Sequence, residues 1–210
     1  MSLSPTDRNR NAVRRRHYPA PSPKLGTAVE IVLISGSPSA PSRGSGLLNR
    51  VGDAARAGGI TTSHIDVRLL PPGDLLRANV AAEELVAARE LIERATGVVI
   101  ATPVYKAAYS GLLKCFLDTL PVDTTLRGKI VLPIATAAAP THVLALDYAL
   151  KPVLSSLGAT FMCAGFWTLD SQFDKVADGT MQLKPEAAER IDPMIAEFLA
   201  VVKILCTRLG

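Results

Sequence analysis

The stretch Ile31–Leu48, IVLISGSPSAPSRGSGLL, decides the fold. Ile31 to Ile34 is apolar without alternation, which predicts a parallel strand covered on both faces. The run then stops at a loop of small residues. Ser37, Ser42 and Ser45 offer hydroxyl donors, Arg43 adds a fixed positive charge, and a helix expected to start near Ser45 directs its free N–H groups to the same place. That combination suits a phosphate-sized anion. The loop departs from G-x-x-x-x-G-K-[ST], and it departs from G-x-G-x-x-G because Asn49 stands where the third glycine would fall. Neither ATP nor a dinucleotide bound in the Rossmann manner is indicated.

Outward from this point, apolar runs alternate with amphipathic ones, the pattern of βα units around a parallel sheet. Leu47–Ala57 predicts a helix closed by Gly58 and Gly59, and His64–Val67 a short second strand. Pro71 and Pro72 break the chain, and Ala81–Ala95, with Leu85, Ala88 and Ile92 on one face, predicts a surface helix. Val98–Ile100 is the third strand, running into Thr102–Lys106. A helix over Gly111–Leu120, a strand over Lys129–Ala135, a loop over Thr136–Pro140 and a helix reaching Leu157 follow. Thr160–Phe166 is the fifth strand, and Pro185–Leu209 a last helix with Pro193 as a candidate kink. The expected architecture is α/β, a flavodoxin-like three-layer sandwich with five parallel strands in the order 2-1-3-4-5.

The 210 residues suffice for one such domain, expected over 27–210. The net charge of +4 is misleading, because residues 1–26 carry six cations against Asp7 and the remainder therefore sums to −1. Those 26 residues read as a disordered basic tail, and the near-neutral body gives no reason to expect nucleic-acid binding. Three scattered cysteines make neither a disulfide framework nor a metal motif, which fits a reducing cytoplasm. No stretch has the apolar length of a membrane span.

Strands one, three and four all end in distinctive loops, and in an open parallel sheet ligands bind beyond those carboxyl ends. The first loop would grip a phosphate. The second, Pro103-Val104-Tyr105-Lys106, is a stiff edge with an aromatic and a cation, and the third, Thr136-Ala137-Ala138, is small enough for a flat ring to lie against main-chain N–H groups. Phosphate at one end and a planar heterocycle at the other describe FMN. One further feature is mechanical: Pro152 cannot donate to the carbonyl of Tyr148, so the helix must bend or widen at Tyr148, commonly as a π-bulge.

With GSPSAPSRGSGLL at 36–48, VIATPVYKAAYSGLLKCFLDTLP at 99–121 and GKIVLPIATAAAPTHVLALDYALKPVLSSLGA at 128–159, the chain resembles the NAD(P)H-dependent FMN reductases of two-component monooxygenase systems. The resemblance spans about Val29–Asp174. It implies that Ser37, Ser42, Arg43 and Ser45 lie at the FMN phosphate, that Pro103, Val104, Tyr105 and Lys106 frame the isoalloxazine, and that Thr136, Ala137 and Ala138 lie at its pyrimidine end. It also implies a homo-oligomer, dimer or tetramer, with Tyr148 in a π-bulge at a subunit contact, and a flavin-dependent monooxygenase as partner. Members of the family commonly have Gly-Gly where this chain has Ala137–Ala138, which would carry strain if the backbone there had positive φ.

The implied reaction is hydride transfer from NAD(P)H to FMN, in which the flavin does the chemistry and no side chain is required as acid, base or nucleophile. His17, His64 and His142 accordingly lack triad or metal spacing. Two other functions use the same fold: a reductase that retains FMN and passes electrons to a quinone, azo dye or metal ion, and a flavodoxin-like electron carrier. The latter is usually acidic, with aromatic cover over the ring, which these loops do not offer.

Overall fold

The computed structural model describes residues 30–142 and 144–209, so the basic stretch 1–26 lies outside the described residues. In chain order the elements are β1 (Glu30–Ser35), α1 (Arg43–Ala57), β2 (Thr61–Asp66), α2 (Pro72–Leu76), α3 (Glu83–Arg94), β3 (Gly97–Tyr105), β4 (Ala108–Tyr109), α4 (Gly111–Leu117) and β5 (Ile130–Ala137). A π-helical segment (Leu146–Leu150) leads into α5 (Lys151–Ser156). After these come β6 (Phe161–Met162), β7 (Phe166–Leu169), β8 (Phe173–Lys175), β9 (Met181–Leu183) and α6 (Pro185–Leu209). Single 3-10 turns occupy Val67–Leu69, Pro140–His142 and Asp170–Gln172.

The central sheet runs β2-β1-β3-β5-β6 with all these neighbours parallel. Its order is the expected 2-1-3-4-5, but it holds seven strands rather than five. One addition is β4, which folds back antiparallel on the end of β3. The other comes from a break in the fifth strand: β6 pairs with Ile130–Val131, β7 pairs with Ile134–Ala137, and three residues, Cys163–Gly165, face the two of β5 between them. The cause is Pro133. The Cys163 N–H donates to the Val131 carbonyl, so alternate residues of β5, Pro133 among them, face this strand, and proline has no N–H to give. The extra residue forms a bulge, with Gly165 at φ +74° so close to the Pro133 carbonyl that a Cβ would lie 2.4 Å from its oxygen.

Burial on both faces explains the unbroken apolar strands. Ile31, Leu33, Val99, Leu132 and Ile134 pack in one core with residues of α1 and α6, while Val32, Ile34, Val98, Ile100 and Val131 pack in the other with residues of α3, α4 and α5. The β8–β9 hairpin lies on α1; a Cβ on Gly46 would meet the Met181 carbonyl oxygen at 2.1 Å. Lys129, buried directly before β5, donates to the carbonyls of Glu93 at 2.9 Å and Ala95 at 2.7 Å and so closes the end of α3. Other boundaries move modestly. The proline pair opens α2 with Pro72 in its first turn rather than only breaking the chain, and α6 runs through Pro193 as one helix. Among the described residues no helix is long and apolar enough to cross a membrane.

Candidate flavin site

The parallel register sets Ser35 beside Ala101 and Pro103 beside Thr136, so the loops leaving β1, β3 and β5 meet on one rim of the sheet. Gly36 is tied there by donating to the Ala101 carbonyl at 2.8 Å.

In the first loop, α1 begins at Arg43, earlier than the apolar spacing suggested, because Ser42 caps it. The Ser42 Oγ accepts from the Ser45 N–H at 3.0 Å and lies 2.8 Å from the Ser45 Oγ. This leaves the first-turn N–H groups of Arg43 and Gly44 without intrahelical partners. Ser37 is buried and engaged with Ser39, accepting from its N–H at 3.2 Å and donating to its carbonyl at 3.3 Å. Ser37 and Ser42 therefore shape the loop as much as they offer donors. The Arg43 Nε lies 3.2 Å from Asp170 Oδ1, yet the pair is out of line for a hydrogen bond and Nε is a buried donor without an acceptor. Unclaimed N–H groups beside an unsatisfied guanidinium fit an anionic phosphate.

The second stretch is a hairpin rather than a loop. β3 continues to Tyr105, Val104 pairs with Tyr109 and Tyr105 with Ala108, and Lys106 and Ala107 turn the chain at φ +49° and +64°. Positive φ at both positions is the type I′ form that matches right-twisted strands, and neither residue here is the glycine that would adopt it freely. The hairpin projects Tyr105, 49% exposed, and Lys106 into solvent, with Pro103 and Val104 half-buried at its base.

The third stretch resolves the alanine question. Neither Ala137 nor Ala138 has positive φ, so replacing glycine carries no backbone strain. Thr136 and Ala137 are buried at the end of β5, and only Ala138 reaches the surface. The register pairs Thr136 with Thr168 of β7, whose fully buried hydroxyl has no hydrogen-bond partner.

Tyr148 lies in the π-helical Leu146–Leu150 segment, where the Lys151 N–H reaches back five residues to Leu146. That segment packs against β4, and Tyr148 is 79% exposed.

Ser110 is the residue that sequence reasoning missed. Buried as the N-cap of α4, its Oγ donates to the Gly36 carbonyl and accepts from the Leu113 N–H at 3.0 Å, while its own N–H donates to Thr102 Oγ1 at 3.0 Å. It binds the first loop to the second. A serine directly before a predicted helix start was the available signal; its long-range partner was not.

Of the histidines, His64 is exposed on the outer strand β2, where partial desolvation and then Arg56 lower its pKa. A cleft of about 810 Å³ lies between α1, β9 and α6, and its Arg50 is committed to Asp192. Among the described residues no cluster of His, Cys, Asp and Glu is arranged for a metal ion.

Comparison with known proteins identifies the family. Residues 29–174 match the family described as NADPH-dependent FMN reductase. The chain is 40% identical over 172 residues to an FMN reductase (NADPH) of Escherichia coli K12, covering 81% of this chain and 88% of that one. A second FMN reductase (NADPH), from Pseudomonas putida KT2440, is 42% identical over 170 residues, 80% and 85% of the two chains. Among solved structures, the apo form of an NADH:FMN oxidoreductase (EMOB) superposes with a TM-score of 0.74 at 38% identity, over 83% of this chain and 90% of that one. Three loops on one rim and similarity along most of the chain lead to one conclusion: the chain belongs to the NADPH-dependent FMN reductase family.

Proposed function

We propose that this NAD(P)H:FMN oxidoreductase holds FMN along the rim, with the phosphate at the first loop and the ring between the other two. Arg43 and the N–H groups opening α1 bind the phosphate, with Ser37, Ser42 and Ser45 shaping and lining the turn. Pro103, Val104, Tyr105 and Lys106 flank the ring on one side, and Thr136, Ala137 and Ala138 receive its pyrimidine end. FMN supplies the hydride-accepting chemistry and NAD(P)H the hydride. The protein's part is to orient the two rings, which the stiff Pro103–Lys106 hairpin favours, and to present hydrogen-bond donors where negative charge develops. The observation that carries this reading is the buried, unsatisfied Nε of Arg43 beside the open N-terminus of α1.

The reduced flavin is released to a partner monooxygenase. The half-exposed Tyr105 and the absence of a second aromatic among the named ring-facing residues support easy exchange. Tyr148 and Leu144, 79% and 57% exposed, form the contact of a homodimer or tetramer. Three free cysteines and a nicotinamide reductant suit the cytoplasm. The test is steady-state NAD(P)H oxidation with FMN, FAD and riboflavin in wild type and Arg43→Ala. Loss of a charge-assisted phosphate contact should raise the KM for FMN roughly tenfold or more and leave riboflavin turnover unchanged. Equal effects on both flavins would refute the phosphate assignment. A protein that stays yellow through dialysis and reduces a quinone by a ping-pong mechanism would instead be a flavin-retaining reductase.

A further inference from the structure

We propose that Asp170 tunes how tightly FMN is held, by competing with the flavin phosphate for Arg43. The inference rests on the phosphate reading above and concerns a residue outside the three loops. Asp170 opens the 3-10 turn after β7, and its Oδ1 lies 3.2 Å from the Arg43 Nε across 127 positions of chain. The turn is fixed from both ends. The Gln172 Oε1 accepts from the Leu169 N–H at 2.8 Å, the Gln172 carbonyl accepts from the Lys184 N–H at 2.9 Å, and the Lys184 Nζ donates to the Ser171 carbonyl at 2.9 Å. Asp170 therefore approaches Arg43 from a pinned turn.

The contact is close but misaligned, for Nε makes no hydrogen bond although it is buried. Such a carboxylate neutralises the guanidinium without satisfying it, so an incoming phosphate still gains a donor while meeting a like charge a few ångströms away. Affinity is held below what Arg43 and the helix N-terminus would give alone. For an enzyme whose product is a diffusible reduced flavin, that is an affinity-limiting residue.

The experiment is a fluorescence-quenching titration of FMN and, in parallel, riboflavin, with wild type, Asp170→Asn, Asp170→Ser, Arg43→Ala and the Arg43→Ala/Asp170→Asn pair. The two Asp170 variants should bind FMN about three- to tenfold more tightly, the scale of a half-exposed ion pair plus a nearby like charge, with riboflavin unchanged. The gain should vanish when Arg43 is alanine. Unchanged or weaker FMN binding in both Asp170 variants, with Arg43→Ala still weakening FMN, overturns this inference alone. Equal tightening of riboflavin also overturns it, because the effect would then lie on the ring or the fold. FMN binding undiminished by Arg43→Ala overturns the phosphate assignment itself.

Discussion

Removing the Ser110 hydroxyl tests whether the flavin loops depend on one buried oxygen. In Ser110→Ala the α4 N-cap is lost, at about 1 kcal/mol, and the buried Gly36 carbonyl loses its serine donor, at about 1–3 kcal/mol. The sum is about 2–4 kcal/mol of folding stability, or roughly 4–16 °C in Tm for a domain of this size. Urea unfolding monitored at Trp167 measures it directly. The same variant should weaken FMN binding several-fold, because Gly36, which loses its serine donor, leads into the loop proposed for the phosphate; the backbone N–H of residue 110, which the substitution keeps, still donates to Thr102 at the base of the β3–β4 hairpin. Thr102→Val removes the acceptor of that N–H, and because the two residues share one network their effects should be non-additive. A Tm shift below about 2 °C with unaltered FMN affinity would refute the reasoning and leave the loops held by the sheet alone.

Three further outcomes follow from particular contacts. Gly165→Ala should destabilise by roughly 3 kcal/mol or more, since the new Cβ meets the Pro133 carbonyl and the backbone is left-handed; thermal melting checks it, and a loss below about 1 kcal/mol would deny the bulge its role. Burial pushes the Lys129 pKa down from 10.5 to about 8. The unfolded chain then keeps this proton between about pH 8 and 10.5 while the folded chain sheds it, so Lys129 makes stability rise with pH across that window, by about 1–3 kcal/mol; the rise should be missing in Lys129→Met when urea midpoints are compared at pH 7.5 and 10. Tyr148→Asp, which sets a charge on the exposed face of the π-helical segment, should shift the enzyme to smaller species in sedimentation velocity, and an unchanged distribution would remove Tyr148 from the subunit contact.

The chain's local chemistry made much of this protein legible. Unalternating Ile31–Ile34 implied a strand covered on both faces, and the two cores on either side of the sheet supply that cover. The serine turn marked a helix start because capping acts within a few residues, and Pro152 located the irregular turn at Tyr148 for the same reason. Other features depended on which strands become neighbours. The bulge exists because β5 sets Pro133 against the fifth strand, and β4 exists because Lys106 and Ala107 accept positive φ that no glycine announced. Ser110 reaches Gly36 across 74 positions, and Asp170 reaches Arg43 across 127. Periodicity and caps record a residue's nearest neighbours along the chain, whereas the partner of a buried hydroxyl or a guanidinium is fixed only when sheet order and register bring distant loops to a common edge.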